Sequence, residues 1–134
     1  MANEINIALV RAGFEALSAG DFDACLELAS PDLIINLAEL AEPLHGRDIW
    51  LEGAAMFRRA FPDLNAEIED IFGSGDRVAV RVRMRGTHAG EYLGIPATGR
   101  QVSYVSHEFY RIENGLIAEE WICSDTAGLF RQIS

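Results

Sequence analysis

The sequence predicts an α+β fold, a curved antiparallel sheet closed into a cone and packed on three N-terminal helices. Three observations predict it. Apolar residues before about position 61 recur at helical spacing, those from Leu64 onward alternate, and glycine-bearing turns separate the alternating stretches as in a meander of hairpins. A length of 134 residues suits one domain, 1–134, and an apolar fraction of 49% supplies a core for it.

Each element has its own signal. Ile7, Val10, Phe14 and Leu17 mark one face of a first helix, which Gly20 ends. Asp21 is placed to cap a second, short helix that turns Phe22, Cys25, Leu26 and Ala29 inward and stops at Ser30-Pro31. The short apolar run Leu33 to Leu37 reads as a strand. A third helix follows Gly46, with Trp50, Ala54, Phe57 and Phe61 on one face and Pro62 as its stop. The period then changes to two. Leu64, Ala66, Ile68 and Phe72 alternate with polar neighbours, Gly73-Ser74-Gly75-Asp76 turns the chain, and Val78 to Met84 alternates again. A loop from Gly86 to Arg100 precedes two more strands, Val102–Ile112 and Leu116–Ser124, joined at Asn114-Gly115. A sheet curved over helices leaves a hollow whose mouth can admit a small apolar organic molecule.

Charge narrows the partners. The net charge is -10, from 21 acids against 11 bases, and every base is arginine. Such a surface repels phosphate backbones and anionic lipid, so neither nucleic acid nor membrane is an expected partner. Arg81, Arg83 and Arg85 alternate with Val80, Val82 and Met84, which puts them on one face of a strand as a solvated or interface face. The N-terminal stretch has no basic flank of the secretory kind, and no apolar run approaches the roughly 20 residues of a membrane span. Cys25 and Cys123 both sit in apolar patterns and read as reduced core residues of a cytoplasmic protein. His45 reads as surface. The three histidines and two cysteines show no metal-ligand spacing, no glycine-rich phosphate loop opens a helix, and no Gly-x-Ser-x-Gly elbow is present. No metal or organic cofactor is expected.

Two residues stand out as reacting groups, His107 on the penultimate strand and Asp125 after the last. Their relation depends on the turn between the strands. A two-residue Asn114-Gly115 loop would set His107 opposite Ile122 and send Asp125 to the other face. A three-residue Glu113-Asn114-Gly115 loop with a bulge at Gly115 would set His107 opposite Trp121 and Ser103 opposite Asp125. The second register gathers Val105, His107, Phe109, Ile117, Trp121, Cys123 and Asp125 on one face as a pocket lining, and is the one expected.

Several segments resemble SnoaL-like polyketide cyclases, a branch of the nuclear transport factor 2-like and ketosteroid isomerase-like superfamily. They are Phe57-Arg58-Arg59-Ala60-Phe61-Pro62-Asp63-Leu64, Gly75-Asp76-Arg77-Val78, Gly86-Thr87-His88 with Gly94-Ile95-Pro96-Ala97-Thr98-Gly99-Arg100, and Glu119-Glu120-Trp121 with Asp125 and Gly128-Leu129. Ala97 departs from the family, which commonly has a second proline there. The resemblance implies a cone-shaped α+β barrel, frequent homodimers, and intramolecular aldol ring closure on a polycyclic, largely apolar polyketide without metal or organic cofactor. It matches the family's acid/base aspartate to Asp125 and its histidine to His107. Asp125 would take a proton from carbon beside a carbonyl, with Trp121 as its apolar wall, and His107 would hold the enolate oxygen or donate to the developing alkoxide. Trp121, Phe109, Trp50, Phe57, Phe14, His88, Tyr92 and Asn36 are the candidate substrate contacts.

Blander roles stand beside these. Asp125 precedes Thr126-Ala127-Gly128-Leu129 and suits the cap of a terminal turn; His107 suits a hydrogen-bonded core histidine; the aromatics suit core packing; Glu119 and Arg111 suit an ion pair. Two other functions remain open at this point. One is cofactor-independent hydrolysis, hydroxylation or isomerisation in the same pocket, the hydrolytic case requiring Arg111 and Asp70 beside Asp125. The other is a ligand-binding dimeric domain without turnover.

Overall fold

The computed structural model describes residues 2–134. In chain order the elements are α1 (Ala2–Ala19), α2 (Phe22–Glu27), β1 (Ala29–Leu37), β2 (Leu44–His45), α3 (Arg47–Ala60), β3 (Asn65–Ser74), β4 (Arg77–Thr87), β5 (Gln101–Glu113), β6 (Leu116–Ser124) and α4 (Thr126–Ile133). The strands form one sheet in the order β2-β1-β6-β5-β4-β3. Helix α1 lies on β3 and β4, α3 on β1 and α4 on β5, all contributing to one core with the sheet.

Local chemistry explains the helical half. Gly20, at φ +73, closes α1 with its N–H on the Leu17 carbonyl (3.0 Å) while Asp21 N–H reaches the Ala16 carbonyl (2.9 Å), the Schellman arrangement that a left-handed glycine permits. Asp21 then caps α2, its carboxylate accepting from Ala24 N–H at 3.1 Å. Arg58 of α3 donates to the carbonyls of Leu17 and Leu64 and so ties the end of α1 to the start of β3.

The structure differs from expectation in four ways. The sheet is mixed, because β1 pairs in parallel with β6, Asn36 standing against Trp121. The strand begins at Ala29, so the second helix ends sooner than its apolar spacing suggests and Pro31 lies within β1. The terminal turn is a full helix, α4. The fourth concerns the final hairpin. Asn114 (φ 53) and Gly115 (φ 76) form a two-residue loop of the type I′ kind, with Glu113 opposite Leu116 and Ile112 opposite Ile117. The register then shifts by one residue at Ala118, so that Arg111 faces Glu119, Phe109 faces Trp121 and His107 faces Cys123. The bulge is inside β6, not at the turn.

Candidate active site

A cavity of about 360 Å³ lies between the helices and the concave face of the sheet. Val10, Phe14 and Leu17 of α1, Trp50 and Phe57 of α3, and Leu33, Ile35 and Leu37 of β1 supply apolar wall. Ile49, Gly53 and Met56 of α3, together with Glu39, are the more exposed lining residues and bound the mouth. Strand β5 contributes Tyr104, Glu108 and Tyr110; β6 contributes Ile117, Glu120, Ile122 and Ser124. Tyr92 enters from the loop after β4. That loop is pinned where Ala89 and Gly90 N–H groups both donate to the Ala60 carbonyl (3.0 and 3.1 Å), which sets Tyr92 edge-on to Phe57 at 5.4 Å between ring centres.

Polar groups inside the cavity are few and carboxylic. Glu108 and Glu120 are 7% and 5% exposed. Their strands run antiparallel with Tyr110 opposite Glu120 and Glu108 opposite Ile122, so the two acids are diagonal neighbours on the inner face, with backbones about 7–8 Å apart and within reach of long side chains. Glu108 is fully occupied. One oxygen accepts from Ser106 Oγ at 2.6 Å and the other from the Tyr110 hydroxyl. Ser106 in turn shares a 2.9 Å hydrogen bond with Ser124. Glu120 is the opposite case, with its Oε1 buried and without a hydrogen-bond partner among the described residues.

Electrostatics separates the two acids. Burial pushes Glu120 up to about 8, and the neighbouring charge of Glu108 adds to the shift. Burial raises Glu108 too, but the hydroxyls of Ser106 and Tyr110 favour its charged form and pull the other way. Burial, then Glu108, drives Tyr110 well above the ordinary phenol range, so its hydroxyl stays a donor. Cys25, also in the wall, is raised to about 11 by burial and is an unreactive thiol. The site can therefore hold one carboxylate and one neutral carboxylic acid together in an apolar chamber.

The structure brings together only some of the residues singled out from sequence. Phe14, Trp50, Phe57 and Tyr92 line the cavity. His107, Phe109 and Trp121 do not: the inner face of β5 is the even-numbered one, so His107 and Phe109 project from the outer face as exposed residues, and Trp121 lies half-buried there under the Arg77 guanidinium, 5.2 Å from the ring centre. Val105, His107, Phe109, Trp121 and Cys123 of the expected odd-numbered cluster do share one face, but the hollow is behind it; Ile117, which precedes the bulge, lines the cavity instead. Asp125 is exposed and caps α4, accepting from Gly128 N–H at 2.9 Å. Asn36 is held outside the cavity by Glu119 Oε2 (3.0 Å) and the Glu120 carbonyl (3.1 Å). His88 is fully buried, stacked on Phe61 and hydrogen-bonded through Nδ1 to Thr98 (2.9 Å), so it packs the loop and leaves the cavity wall to Tyr92. Arg111 pairs with Glu113 and Glu119, both at 3.2 Å, while Asp125 is occupied at α4, so the Asp-Arg-Asp set for hydrolysis is not assembled. Cys123 is exposed, not core. Among the described residues no group of three or more His, Cys, Asp or Glu is gathered as for a metal ion.

Sequence reasoning missed Glu108, Glu120, Ser106 and Tyr110. A signal existed: the even positions of β5 include Val102, Tyr104, Tyr110 and Ile112 around Ser106 and Glu108, whereas the odd ones include Gln101, Ser103, Arg111 and Glu113. A carboxylate standing on the more apolar face of a strand is the informative exception.

The family model for SnoaL-like polyketide cyclases matches residues 7–133. The chain belongs to that family. Two curated relatives are aklanonic acid methyl ester cyclases, DnrD of Streptomyces peucetius and DauD of Streptomyces sp. strain C5. Each is 29% identical over 130 residues, covering 95% of this chain and 89% and 80% of the respective relative. Among solved structures, IdmH of Streptomyces antibioticus superposes with a TM-score of 0.83 at 32% identity, covering 95% of this chain and 96% of that one. A SnoaL-like protein of Jannaschia Sp. CCS1 superposes with a TM-score of 0.90 over 98% of this chain and 93% of its own; at 22% identity that likeness concerns the fold.

Proposed function

We propose that the chain works as a single domain and that its cavity closes a ring of a polycyclic, largely apolar polyketide by cofactor-independent acid/base chemistry of the intramolecular aldol type. One observation carries the reading: two buried carboxyl groups, differently hydrogen-bonded, occupy an otherwise apolar chamber. Ionised Glu108 takes the proton from a carbon flanked by carbonyls. The resulting enolate carbon attacks a second carbonyl of the same molecule, forming the carbon–carbon bond, and the alkoxide so produced takes the proton of Glu120. Passage of the first proton from Glu108 to Glu120 resets the pair, so no proton is gained or lost. Until it gives its proton to the alkoxide, neutral Glu120 can donate a hydrogen bond to the enolate oxygen and stabilise charge where it develops. A positioned acid or base is worth ~10²–10⁴-fold, and confinement of both reacting ends in one chamber adds to it.

The assay is ring closure of aklanonic acid methyl ester, the compound that both curated relatives are named for. Glu108→Gln is expected to lower the rate at least ~10²-fold and Glu120→Gln by a similar order. Closure at the native rate by the Glu108 variant, or no closure by the native protein, overturns the reading.

The same proposal extends to a homodimer formed through the outer face. Phe72, Ala79, Phe109 and Trp121 stand opposite one another across β3 to β6 and make an apolar band, with Phe72 62% and Phe109 55% exposed. Arginines 77, 81, 83 and 85 and glutamates 67, 69, 113 and 119 border it, a mixture of signs that a two-fold related copy can complement. Sedimentation of Phe109→Asp as a folded monomer beside a dimeric native protein supports this; two monomers refute it. A cytoplasmic location is proposed on two grounds: both cysteines are free, and among the described residues no helix is long and apolar enough to cross a membrane.

A further inference from the structure

Glu108 lies at the end of a chain of hydroxyl groups that begins at the cavity wall, and the direction of that chain follows from counting protons. A serine hydroxyl has one proton to give. Ser106 lies 2.6 Å from Glu108 Oε2 and gives its proton there, so in its 2.9 Å contact with Ser124 it can only accept, and Ser124 must donate. Tyr110 likewise gives its single proton to the other oxygen of Glu108. Ser106 is completely buried and Tyr110 is 6% exposed, so neither hydroxyl has bulk water to turn to. Ser124 lines the cavity. Both oxygens of Glu108 thus receive donors, whereas Glu120 has an oxygen that receives none.

We propose that Ser106 and Tyr110 are positioning residues that make Glu108, and not Glu120, the ionised member of the pair, and that the Ser124–Ser106 chain reverses when Glu108 takes up a proton. In the resting direction the hydroxyl protons run from Ser124 through Ser106 toward the carboxylate. Once Glu108 holds a proton on Oε2 it donates to Ser106, Ser106 donates to Ser124, and Ser124 turns its own proton toward the bound molecule. The wall then presents a donor after proton abstraction that it did not present before. This inference rests on the acid/base reading of the cavity and adds to it a reason for which acid plays which part.

The other titratable groups that face Glu108 are few. They are Glu120 on β6, Tyr104 and Tyr110 on β5, Tyr92 in the loop and Cys25 on α2, with Glu39 farther out toward the mouth. The facing positions of β4, among them Val80 and Val82, are apolar. Serine and tyrosine hydroxyls, not a basic side chain, therefore decide the charge of Glu108.

The test is an infrared titration of the carboxyl stretch, with the Glu108→Gln and Glu120→Gln difference spectra assigning the bands, carried out on the ligand-free protein. Ser106→Ala is expected to move the ionisation of Glu108 upward by about one pH unit, a ~10-fold rise in proton affinity for one lost bond to a charged group. Ser106→Thr, which keeps the hydroxyl, restores the native midpoint. Tyr110→Phe gives a second, independent upward shift should Ser106→Ala fold poorly. A native midpoint in both Ser106→Ala and Tyr110→Phe, or assignment of the lower midpoint to Glu120, overturns the proposal. Because the titration involves no substrate, its outcome is separate from that of the ring-closure assay: absence of turnover would refute the function while leaving the charge assignment standing or falling on the spectra.

Discussion

Glu120 makes the stability of the protein depend on pH in a direction opposite to that of an ordinary surface acid. Unfolded, its carboxyl ionises near the ordinary 4.5; folded, burial and the Glu108 charge hold it at about 8. Below the lower value both states carry the proton and the fold keeps its full stability. Between the two values the unfolded chain releases the proton and the folded chain retains it, so stability falls as pH rises, by up to about 1.4 kcal/mol per unit. The full interval amounts to at most about 5 kcal/mol, and relaxation around a newly charged carboxylate reduces this to about 2–4 kcal/mol. Glu120→Gln keeps the shape and cannot ionise. For a chain of this length, where 1 kcal/mol corresponds to about 3–5 °C, the variant should gain on the order of 10 °C in Tm relative to the native protein between about pH 5 and about pH 8.5. Thermal unfolding of both proteins across that range is the assay. Parallel Tm profiles would show that Glu120 titrates normally and would remove the neutral acid from the mechanism.

Four other expectations follow from the geometry. His107→Ala should leave ring closure unchanged, because the imidazole is on the outer face, while Asp125→Ala should cost about 1 kcal/mol of unfolding free energy through the lost α4 cap, read by chemical denaturation. Gly90→Ala should destabilise the Tyr92 loop and weaken ligand binding by calorimetry, because a Cβ there would sit 2.3 Å from the Arg59 carbonyl oxygen, which is backbone and cannot swing away. Among the described residues the cavity lining contains glutamates and no basic side chain, so the methyl ester of an anthraquinone ligand should bind at least ~10-fold more tightly than its free acid in a fluorescence titration at neutral pH.

What could be read in the sequence was local. Gly20 and Asp21 mark the α1–α2 junction through backbone conformation and a cap, interactions confined to a few consecutive residues. The apolar stripe with Trp50 and Phe57 needed only the helical period to be placed toward the core, and both residues line the cavity. The parallel pairing of β1 with β6 joins positions more than eighty residues apart and has no local signature. The register of the last hairpin failed for a related reason. Asn114-Gly115 does form the two-residue turn that its residues favour, but the bulge at Ala118 restores the odd-with-odd alignment that such a turn by itself forbids, and nothing in Leu116-Ile117-Ala118-Glu119 announces it. The odd-with-odd alignment is thus the expected one, but His107 faces Cys123 and not Trp121, and the inward face of β5 is the even-numbered one. The polarity of a strand's face, more than the chemistry of His107 and Asp125, marks which side is inward. Gln101, Ser103, Arg111 and Glu113 mark the odd side of β5 as outward, and Glu108 then becomes a buried acid that needs explaining.

The central claim is that Glu108 removes a proton from carbon inside the cavity. Proton–deuterium exchange at the acidic carbon of an anthraquinone β-keto ester, followed by NMR in deuterated buffer, measures that step without requiring ring closure. The native protein is expected to accelerate exchange over buffer and His107→Ala to match it, with Glu108→Gln returning the rate to that of buffer. Exchange that persists in Glu108→Gln, or that disappears in His107→Ala, would contradict the account.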